Sequence, residues 1–252
     1  MPVNVIKGSL KYCLENKWFF GFVIILFFTI EFLTEIVNTL FSYLGSVIFI
    51  IITTGYGIQI IQDIINGGTR LPKIMPKKAI VLGVKGFIIR AVYFMVQLFL
   101  LVLISASLNF PTFRLKEFFI NYNEAIHLML THNMVDFAIF VISGFAISYV
   151  TIFFMEFSLA RLADGGQLRK SFNFPRVKHA IDVIGWKRYT ISYSKIILAV
   201  LVLLSINKFF DPYRGVNIIV GTFTWVMSFV VEFRGMGNIY KVYTDSKKES
   251  GD

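Results

Sequence analysis

The sequence predicts an all-α integral membrane protein, and three observations support that fold class. Six long apolar stretches recur along the chain, hydrophobic residues make up 56% of it against 16% charged residues, and basic residues flank most of the stretches on one side only. A hydrocarbon core about 30 Å thick needs roughly 20 apolar helical residues to cross it, and only a helix or a closed barrel satisfies its own backbone there. The stretches have that length and lack the alternation of barrel strands, which predicts transmembrane helices.

Each apolar stretch predicts one span. The six spans are Trp18 to Ile36, Leu40 to Ile61, Ala79 to Ser107, Phe137 to Ala160, Tyr189 to Ile206 and Val216 to Val231. The first has full spanning length and no small-residue cleavage pattern follows it, so we expect it to be retained rather than removed as a signal peptide. Cys13 is the only cysteine, which excludes an intramolecular disulfide and a cysteine-based metal site.

The distribution of basic residues predicts the orientation. With the amino terminus in the cytoplasm, most of the 25 lysines and arginines fall in the inner segments, and the outer segments hold only Arg114, Lys116, Lys208 and Arg214. The positive-inside rule therefore predicts a multi-pass protein of the cell membrane with both termini in the cytoplasm. The same bias accounts for the net charge of +10, so we expect lipid headgroups and no nucleic acid as partners of this charge.

Two inner loops share a pattern. Asn66-Gly67-Gly68 follows the second span and Asp164-Gly165-Gly166 follows the fourth, and proline-started basic segments come next, at Pro76 and Pro175. Glycine pairs suit a helix C-terminus where φ is positive, and proline suits the first turn of the following helix. Further on, Gly83-Val84-Lys85 matches Gly185-Trp186-Lys187 in composition. Each inner loop is therefore predicted to end one helix and start the next.

Amphipathic segments precede some of the spans. Val3, Ile6, Leu10, Cys13 and Leu14 share one face of a predicted amino-terminal helix, and Val177, Ala180, Ile181 and Ile184 form a similar stripe before the fifth span. Basic amphipathic helices of this kind are expected at the cytoplasmic interface.

The predicted architecture is one polytopic domain over residues 1–252 with three hairpins. Its hairpin units are approximately 1–65, 66–163 and 164–240, followed by a polar cytoplasmic tail over 241–252. The alternative is that the pattern reflects only the alternation of basic loops and hairpins found in any polytopic protein.

Several segments resemble a known family. They are Gly55-Tyr56-Gly57, Asn66-Gly67-Gly68, Leu71-Pro72, Gly83-Val84-Lys85, residues 162–168 and residues 171–174. Over nearly the whole chain they resemble an uncharacterised family of archaeal integral membrane proteins, domain-of-unknown-function family 4013, which is distantly similar to the membrane domains of some glycerophosphodiester phosphodiesterases. The resemblance implies an archaeal cell membrane and brings no established activity or catalytic residue.

Ionisable residues within the spans are the main candidates for a site, because each is costly in hydrocarbon. Lys195 lies about two turns into the fifth span, and Glu156, near the inner end of the fourth, is its predicted partner. Glu31 and Glu35 share one face of the first span, and Arg90 lies in the long third span. Either a transport path or structural pairing explains such residues.

Other parts of the sequence contribute candidate lipid contacts but no catalytic centre. The candidate headgroup contacts are Lys7, Lys11, Lys77, Lys78, Arg176 and Lys178. No nucleotide-binding loop, zinc-protease motif or nucleophile elbow occurs. Glu124 and His127 have the spacing of half a metal pair, whose other half is missing. We therefore expect no catalytic residues, metal or cofactor.

Two classes of function fit these features. One is a noncatalytic membrane scaffold or accessory subunit that engages lipid headgroups or a membrane or cytoplasmic protein partner. The other is a small transporter or lipid- or amphiphile-handling protein with an intramembrane polar site at Lys195 and Glu156. We favour the first, because transport folds usually show more broken helices and buried polar residues. An integral membrane enzyme ranks third, since no convergent acid, base or nucleophile is visible.

Overall fold

Helices account for nearly all of the residues that this computed structural model describes, which are 2–36, 39–108, 134–210 and 214–250. They are α1 (Pro2–Leu14), α2 (Lys17–Ile36), α3 (Thr39–Ile65), α4 (Pro76–Ser107), α5 (Met134–Gly165), α6 (Leu168–Ser171), α7 (Phe174–Ile184), α8 (Trp186–Lys208) and α9 (Arg214–Ser250). Within these ranges there is no strand, so the predicted all-α class is confirmed for them.

Among the described residues, five helical segments are long and apolar enough to cross a membrane. They are Gly45–Ile65, Pro76–Ser107, Met134–Gly165, Trp186–Lys208 and Gly215–Glu249. They correspond to the second to sixth predicted spans and indicate a multi-pass membrane protein. The first predicted span coincides with α2, whose shorter described apolar part is Lys17–Leu26. The layout of six spans in three hairpins stays a prediction.

The last helix is much longer than its predicted span. α9 has 37 residues, which correspond to about 55 Å of helix and exceed the roughly 30 Å hydrocarbon core. The sequence suggested an apolar run ending at Val231 and a polar tail from residue 241, whereas one continuous helix covers both. The part of α9 beyond Val231 continues past the apolar run and stays packed on the protein, since Met236 and Tyr240 are buried.

The chain divides into two compact units, of which the first comprises Met1–Ile89 and Glu156–Asp252. In this unit α9 is the central helix, since it packs against α1, α2, α3, α7 and α8. Glycines allow that packing. A Cβ at Gly57 would lie 2.5 Å from the Phe233 ring, and a Cβ at Gly237 would lie 2.9 Å from Ile64 Cβ. Small residues at helix contacts let backbones approach closely, as membrane helices require.

The closest helix crossing in this unit joins α3 and α4. A Cβ at Gly55 would clash with the carbonyl oxygen of Ala79, and a Cβ at Gly83 would clash with the carbonyl oxygen of Ile51. Both obstacles are backbone atoms of the opposite helix. The backbones of α3 and α4 therefore pack tightly at Gly55, and Gly83 is the counterpart of Gly55 on α4.

The inner loops use their glycines as predicted, with one exception. Gly67 has a φ of +86° and Gly166 a φ of +62°, the left-handed conformation expected just after a helix. α4 begins at Pro76, and Pro175 lies in the first turn of α7. The segments at Gly83 and Gly185, which match in sequence, differ in structure. Gly185, with a φ of +89°, separates α7 from α8, whereas Gly83 lies inside α4.

Side chains of α3 and α4 satisfy carbonyl groups at the end of α5. Gln62 Nε2 donates to the Ala163 carbonyl oxygen at 2.7 Å, and Lys85 Nζ donates to the Gly166 carbonyl oxygen at 2.6 Å. The last carbonyls of a helix have no partner within it, so such side chains replace the missing bonds. These two hydrogen bonds tie the carboxyl end of α5 to the rest of the first unit.

The amphipathic stripes differ in what they contact. All four apolar residues of the α7 stripe are buried within the protein. In α1 the buried residues are Ser9, Tyr12 and Cys13, whereas Val3 and Leu14 are exposed. The predicted α1 stripe is therefore only partly the face that packs on the protein, and its remainder is open to the surroundings.

The second unit comprises Arg90–Met155, and its described part consists of segments of α4 and α5. Gln97 Nε2 donates to Ser148 Oγ at 2.9 Å, and a Cβ at Gly144 would lie 3.6 Å from a Leu101 methyl carbon. Many other described side chains of this unit are apolar and exposed, including Phe145 at 75%. Such a surface suits contact with lipid chains.

Candidate functional site

A basic groove of about 360 Å³ lies within the first unit, where α1, α8 and α9 meet near the start of α8. Its lining residues come from all three helices and from the end of α7. They are Asn4, Val5, Ile184, Arg188, Ser192, Lys195, Ile196, Arg234, Gly235, Asn238, Ile239 and Val242. Three of them are cations and none is acidic, so the groove has a positive potential at neutral pH.

Helical spacing brings the polar residues to one face of each helix. Arg188, Ser192 and Lys195 are four and three residues apart on α8, and Arg234 and Asn238 are four apart on α9. The two helices are in register at Gly235, because a Cβ there would lie 2.5 Å from Ile196 Cδ1. Lys195 directly precedes Ile196, and Arg234 directly precedes Gly235. The backbones of Lys195 and Arg234 therefore lie at the same level along the two helices.

Arg234 is held by α1 on the side facing that helix. Its guanidinium carbon lies 5.5 Å from the centre of the Tyr12 ring, a cation–π contact. A Cβ at Gly8 would be 3.0 Å from Arg234 Nη1, so only glycine leaves the arginine its present room. Arg234 Nε is buried and makes no hydrogen bond with the residues that the structure describes. The guanidinium is thus positioned by an aromatic ring and a glycine rather than by a carboxylate.

Tyr12 also ties α1 to α3. Its hydroxyl donates to Asp63 Oδ2 at 2.9 Å. Burial raises the pKa of Tyr12 far above its ordinary value, and the nearby Asp63 carboxylate adds to this increase. Tyr12 therefore stays neutral and remains a hydrogen-bond donor across the physiological pH range. The bond fixes the ring that faces Arg234.

The pairing of Lys195 with Glu156 stays a prediction. Lys195 is exposed and lines the groove, whereas Glu156 is 1% exposed in α5 and does not line it. No hydrogen bond joins Lys195 to Glu156. The groove instead brings Lys195 together with Arg188 and Arg234, two cations that the sequence reasoning assigned only to the inner loops.

The other predicted site residues lie elsewhere. Arg90 is partly buried in α4. Glu31 and Glu35 belong to α2, but their side chains lie outside the described residues, as do Glu124 and His127. All six candidate headgroup contacts are exposed, and none of them lines the groove. Among the described residues there is no group of three or more His, Cys, Asp or Glu that could hold a metal ion.

The groove residues missed by sequence reasoning left a signal. Arg188, Ser192 and Lys195 repeat at helical spacing, and so do Arg234 and Asn238. The spacing alone does not show that the two faces meet, since this depends on the register set by Gly235 and Ile196. A search for cations on one helix face near a span end would have selected Arg188 with Lys195.

Comparison with known proteins defines the family but no activity. The family model described as Protein of unknown function (DUF4013) matches residues 39–231. The chain, a multi-pass membrane protein by its helices, belongs to this family. No curated protein and no solved structure matches it.

The lone cysteine beside this site provides a test of how α1 packs. Cys13 is fully buried, and burial raises its pKa to about 12, an effect that Arg234 partly opposes. Because the thiolate is the reactive form, we expect N-ethylmaleimide at pH 8 to modify native Cys13 at least about 100-fold more slowly than an exposed cysteine. The control is the variant Cys13→Ser/Lys11→Cys, which places the thiol at an exposed position of the same helix. Equal rates would show that α1 does not pack as described.

Proposed function

We propose that this protein is a noncatalytic membrane scaffold or accessory subunit that engages anionic lipid headgroups through basic helices and loops. The observation that carries the proposal is the exposure of all six candidate headgroup contacts on α1, α4 and α7. Exposed lysines near a membrane surface are attracted to anionic lipids by about 1 kcal/mol each. Free cationic side chains beside long apolar helices suit that role.

The orientation and origin belong to the same proposal. Six spans in three hairpins would place both termini and the basic loops in the cytoplasm of an archaeal cell. The proposed distant similarity to membrane domains of glycerophosphodiester phosphodiesterases would agree with a role beside lipid headgroups. A protein partner, membrane-bound or cytoplasmic, would share the same basic surface.

Lipid or amphiphile handling is the second candidate, and the groove favours it over ion transport. A groove with apolar walls and three cations suits the head of an anionic amphiphile better than a metal cation. A continuous polar path through Lys195 and Glu156 has less support, since no hydrogen bond joins them.

Amide hydrogen exchange of α1 in nanodiscs tests the proposed function. Two exposed lysines, Lys7 and Lys11, would contribute about 2 kcal/mol on an anionic surface, which corresponds to a roughly 30-fold change in exchange rate. We expect α1 to exchange that much more slowly in phosphatidylglycerol nanodiscs than in phosphatidylcholine nanodiscs. The variant Lys7→Gln/Lys11→Gln should remove the difference.

The membrane interior supplies an internal control for that experiment. Amides in the middle of α8, around Ala199, should exchange at the same rate in both lipids because they do not contact headgroups. Equal exchange of α1 in both nanodiscs would contradict the proposal. A stoichiometric protein copurified from native membranes, and released by the same lysine variant, would assign the surface to a protein partner instead.

A further inference from the structure

We propose that the basic groove between α1, α8 and α9 is a specific binding site for a phosphate group. Arg188, Lys195 and Arg234 would supply its positive charge, and the neutral side chains Asn4, Ser192 and Asn238 its further hydrogen bonds. The inference deepens the proposed function and rests on it only in placing the groove beside lipid headgroups. It concerns a defined cavity rather than the exposed basic surface.

The charges of the groove require a counterion. Arg188, Lys195 and Arg234 all line it without an acidic residue among the lining residues. None of the three makes a salt bridge within the part of the chain that the structure describes. Like charges in a partly apolar cavity repel one another, and an anion bound between them would convert that repulsion into attraction. Phosphate suits such a site, because a guanidinium can donate two parallel hydrogen bonds to it and its charge and further oxygens can serve more than one cation.

Arg234 is the residue whose setting points most directly to a ligand. Tyr12 and Gly8 enclose its guanidinium on the α1 side, yet the same side chain lines the groove. A structural arginine in such a setting normally pairs with a carboxylate. Here a ring holds it from behind, which leaves donor groups available towards the groove.

The size and walls of the groove suit a phosphorylated head with a short organic part. Its volume of about 360 Å³ lies near the lower end of the 300–1,000 Å³ typical of small-molecule sites. Five aliphatic residues line it beside the polar ones: Val5, Ile184, Ile196, Ile239 and Val242. They offer an apolar contact for carbon atoms attached to the phosphate.

The position of the groove along the helices agrees with headgroup depth. Arg234 follows the predicted end of the last apolar run, Val231, by three residues, or about 4.5 Å of helix. Arg188 and Lys195 are seven residues apart, so the cations of α8 extend over about 10 Å along the axis. A groove of that depth spans the region where lipid phosphates reside.

A titration of the full chain in neutral detergent tests the site without a bilayer. The probes are dihexanoyl phosphatidic acid, inorganic phosphate and, as a zwitterionic control, dihexanoyl phosphatidylcholine, with heat of binding as the readout. We expect saturable binding of phosphatidic acid at least about tenfold tighter than of phosphatidylcholine. Inorganic phosphate binding as tightly as phosphatidic acid would identify free phosphate as the ligand, and weaker binding would identify a lipid headgroup.

Substitutions assign the binding to the groove. Each of Arg188→Gln, Lys195→Gln and Arg234→Gln should weaken phosphate binding about tenfold, as expected for loss of one charge-assisted hydrogen bond. Lys195→Gln changes an exposed side chain, so this variant should fold normally. It keeps the test valid even if the Arg234→Gln variant does not fold.

A surface variant of equal charge provides the matched control. Lys170→Gln also removes one positive charge, from an exposed position outside the groove, and should leave the affinity within about twofold. Absence of saturable binding, or equal losses in the surface and groove variants, would overturn the site. Slower α1 exchange in anionic nanodiscs would survive that result, so the site and the proposed function can fail separately.

Discussion

Gly55→Ala should be among the most destabilising single-methyl changes in this protein. The added Cβ would clash with the carbonyl oxygen of Ala79, which belongs to the backbone of α4 and cannot turn aside as a side chain can. The two helices must therefore move apart, and overpacking of this kind costs about 3 kcal/mol or more. We expect the apparent melting temperature in detergent to fall by roughly 6–12 °C, measured by thermal unfolding of the purified chain.

Other glycines of the same helix provide a graded control. Gly45→Ala places a methyl group in open space, so helix propensity should make it neutral or slightly stabilising. Gly57→Ala meets the Phe233 ring, which can shift, and should lie between the two. Gly83→Ala approaches the same crossing from α4 and should match Gly55→Ala. If Gly55→Ala and Gly45→Ala have the same melting temperature, then α3 and α4 do not cross at this distance.

The α3–α4 crossing also shows what sequence can and cannot predict about glycine. Gly55 and Gly57 are small residues inside an apolar run, a pattern that suits a close helix contact. The partner, Gly83, was instead compared with Gly185 on composition alone. One glycine lies inside a helix against a backbone and the other terminates a helix with positive φ. The local sequence does not distinguish a glycine at a helix contact from a glycine at a helix end, because the difference depends on whether the backbone of another helix lies against it.

Helix ends were predictable where turn chemistry decides them. Gly67, Gly166, Pro76 and Pro175 mark ends and starts that the structure confirms. The end of α9 was not predictable from the sequence, because hydropathy falls after Val231 although the helix continues to Ser250. Gly237, a residue that weakens an isolated helix, packs here against Ile64 of α3. Tertiary contact thus outweighs low local propensity.

The candidate site was half predictable for a related reason. Lys195 drew attention because a cation inside an apolar run is costly, and that signal depends on one helix alone. The pairing of Lys195 with Glu156 stays a prediction: α5 and α8 are in contact, with the ring centres of Phe157 and Tyr189 5.4 Å apart, but no hydrogen bond joins the two predicted partners. The companions of Lys195 in the groove, Arg188 and Arg234, lie outside the apolar runs, where a basic residue is unremarkable. Only the register of α8 on α9 makes them a group.

The face of α1 illustrates the same limit. Periodicity identified apolar residues on one side, but it does not distinguish a face that packs on protein from one that contacts lipid. Tyr12 and Ser9 are buried although neither belonged to the predicted stripe. Tyr12 is buried because its ring covers Arg234 and its hydroxyl has a partner in Asp63. Both partners come from distant parts of the chain.

Phe157→Ala should destabilise the first unit by emptying the aromatic cluster at the end of α5. Phe157 is fully buried, and its ring centre lies 5.4 Å from that of Tyr189 on α8 and 5.4 Å from that of Tyr240 on α9. The Tyr240 hydroxyl donates to Asp164 Oδ2 at 3.1 Å, which holds that ring in place and keeps it from filling the cavity. Emptying a rigid phenylalanine site costs about 3–5 kcal/mol, so we expect a fall in melting temperature of at least about 6 °C.

Phe145→Ala is the matched control for this change, because it removes the same ring from a side chain that is 75% exposed. In detergent or lipid the surrounding chains fill the space that this ring leaves, so its effect should stay within about 0.5 kcal/mol. Tyr240→Phe separates the hydrogen bond from the packing, since it keeps the ring and should cost about 1 kcal/mol. If Phe145→Ala is as destabilising as Phe157→Ala, then protein rather than lipid covers the second unit, and the noncatalytic scaffold would have its partner surface there.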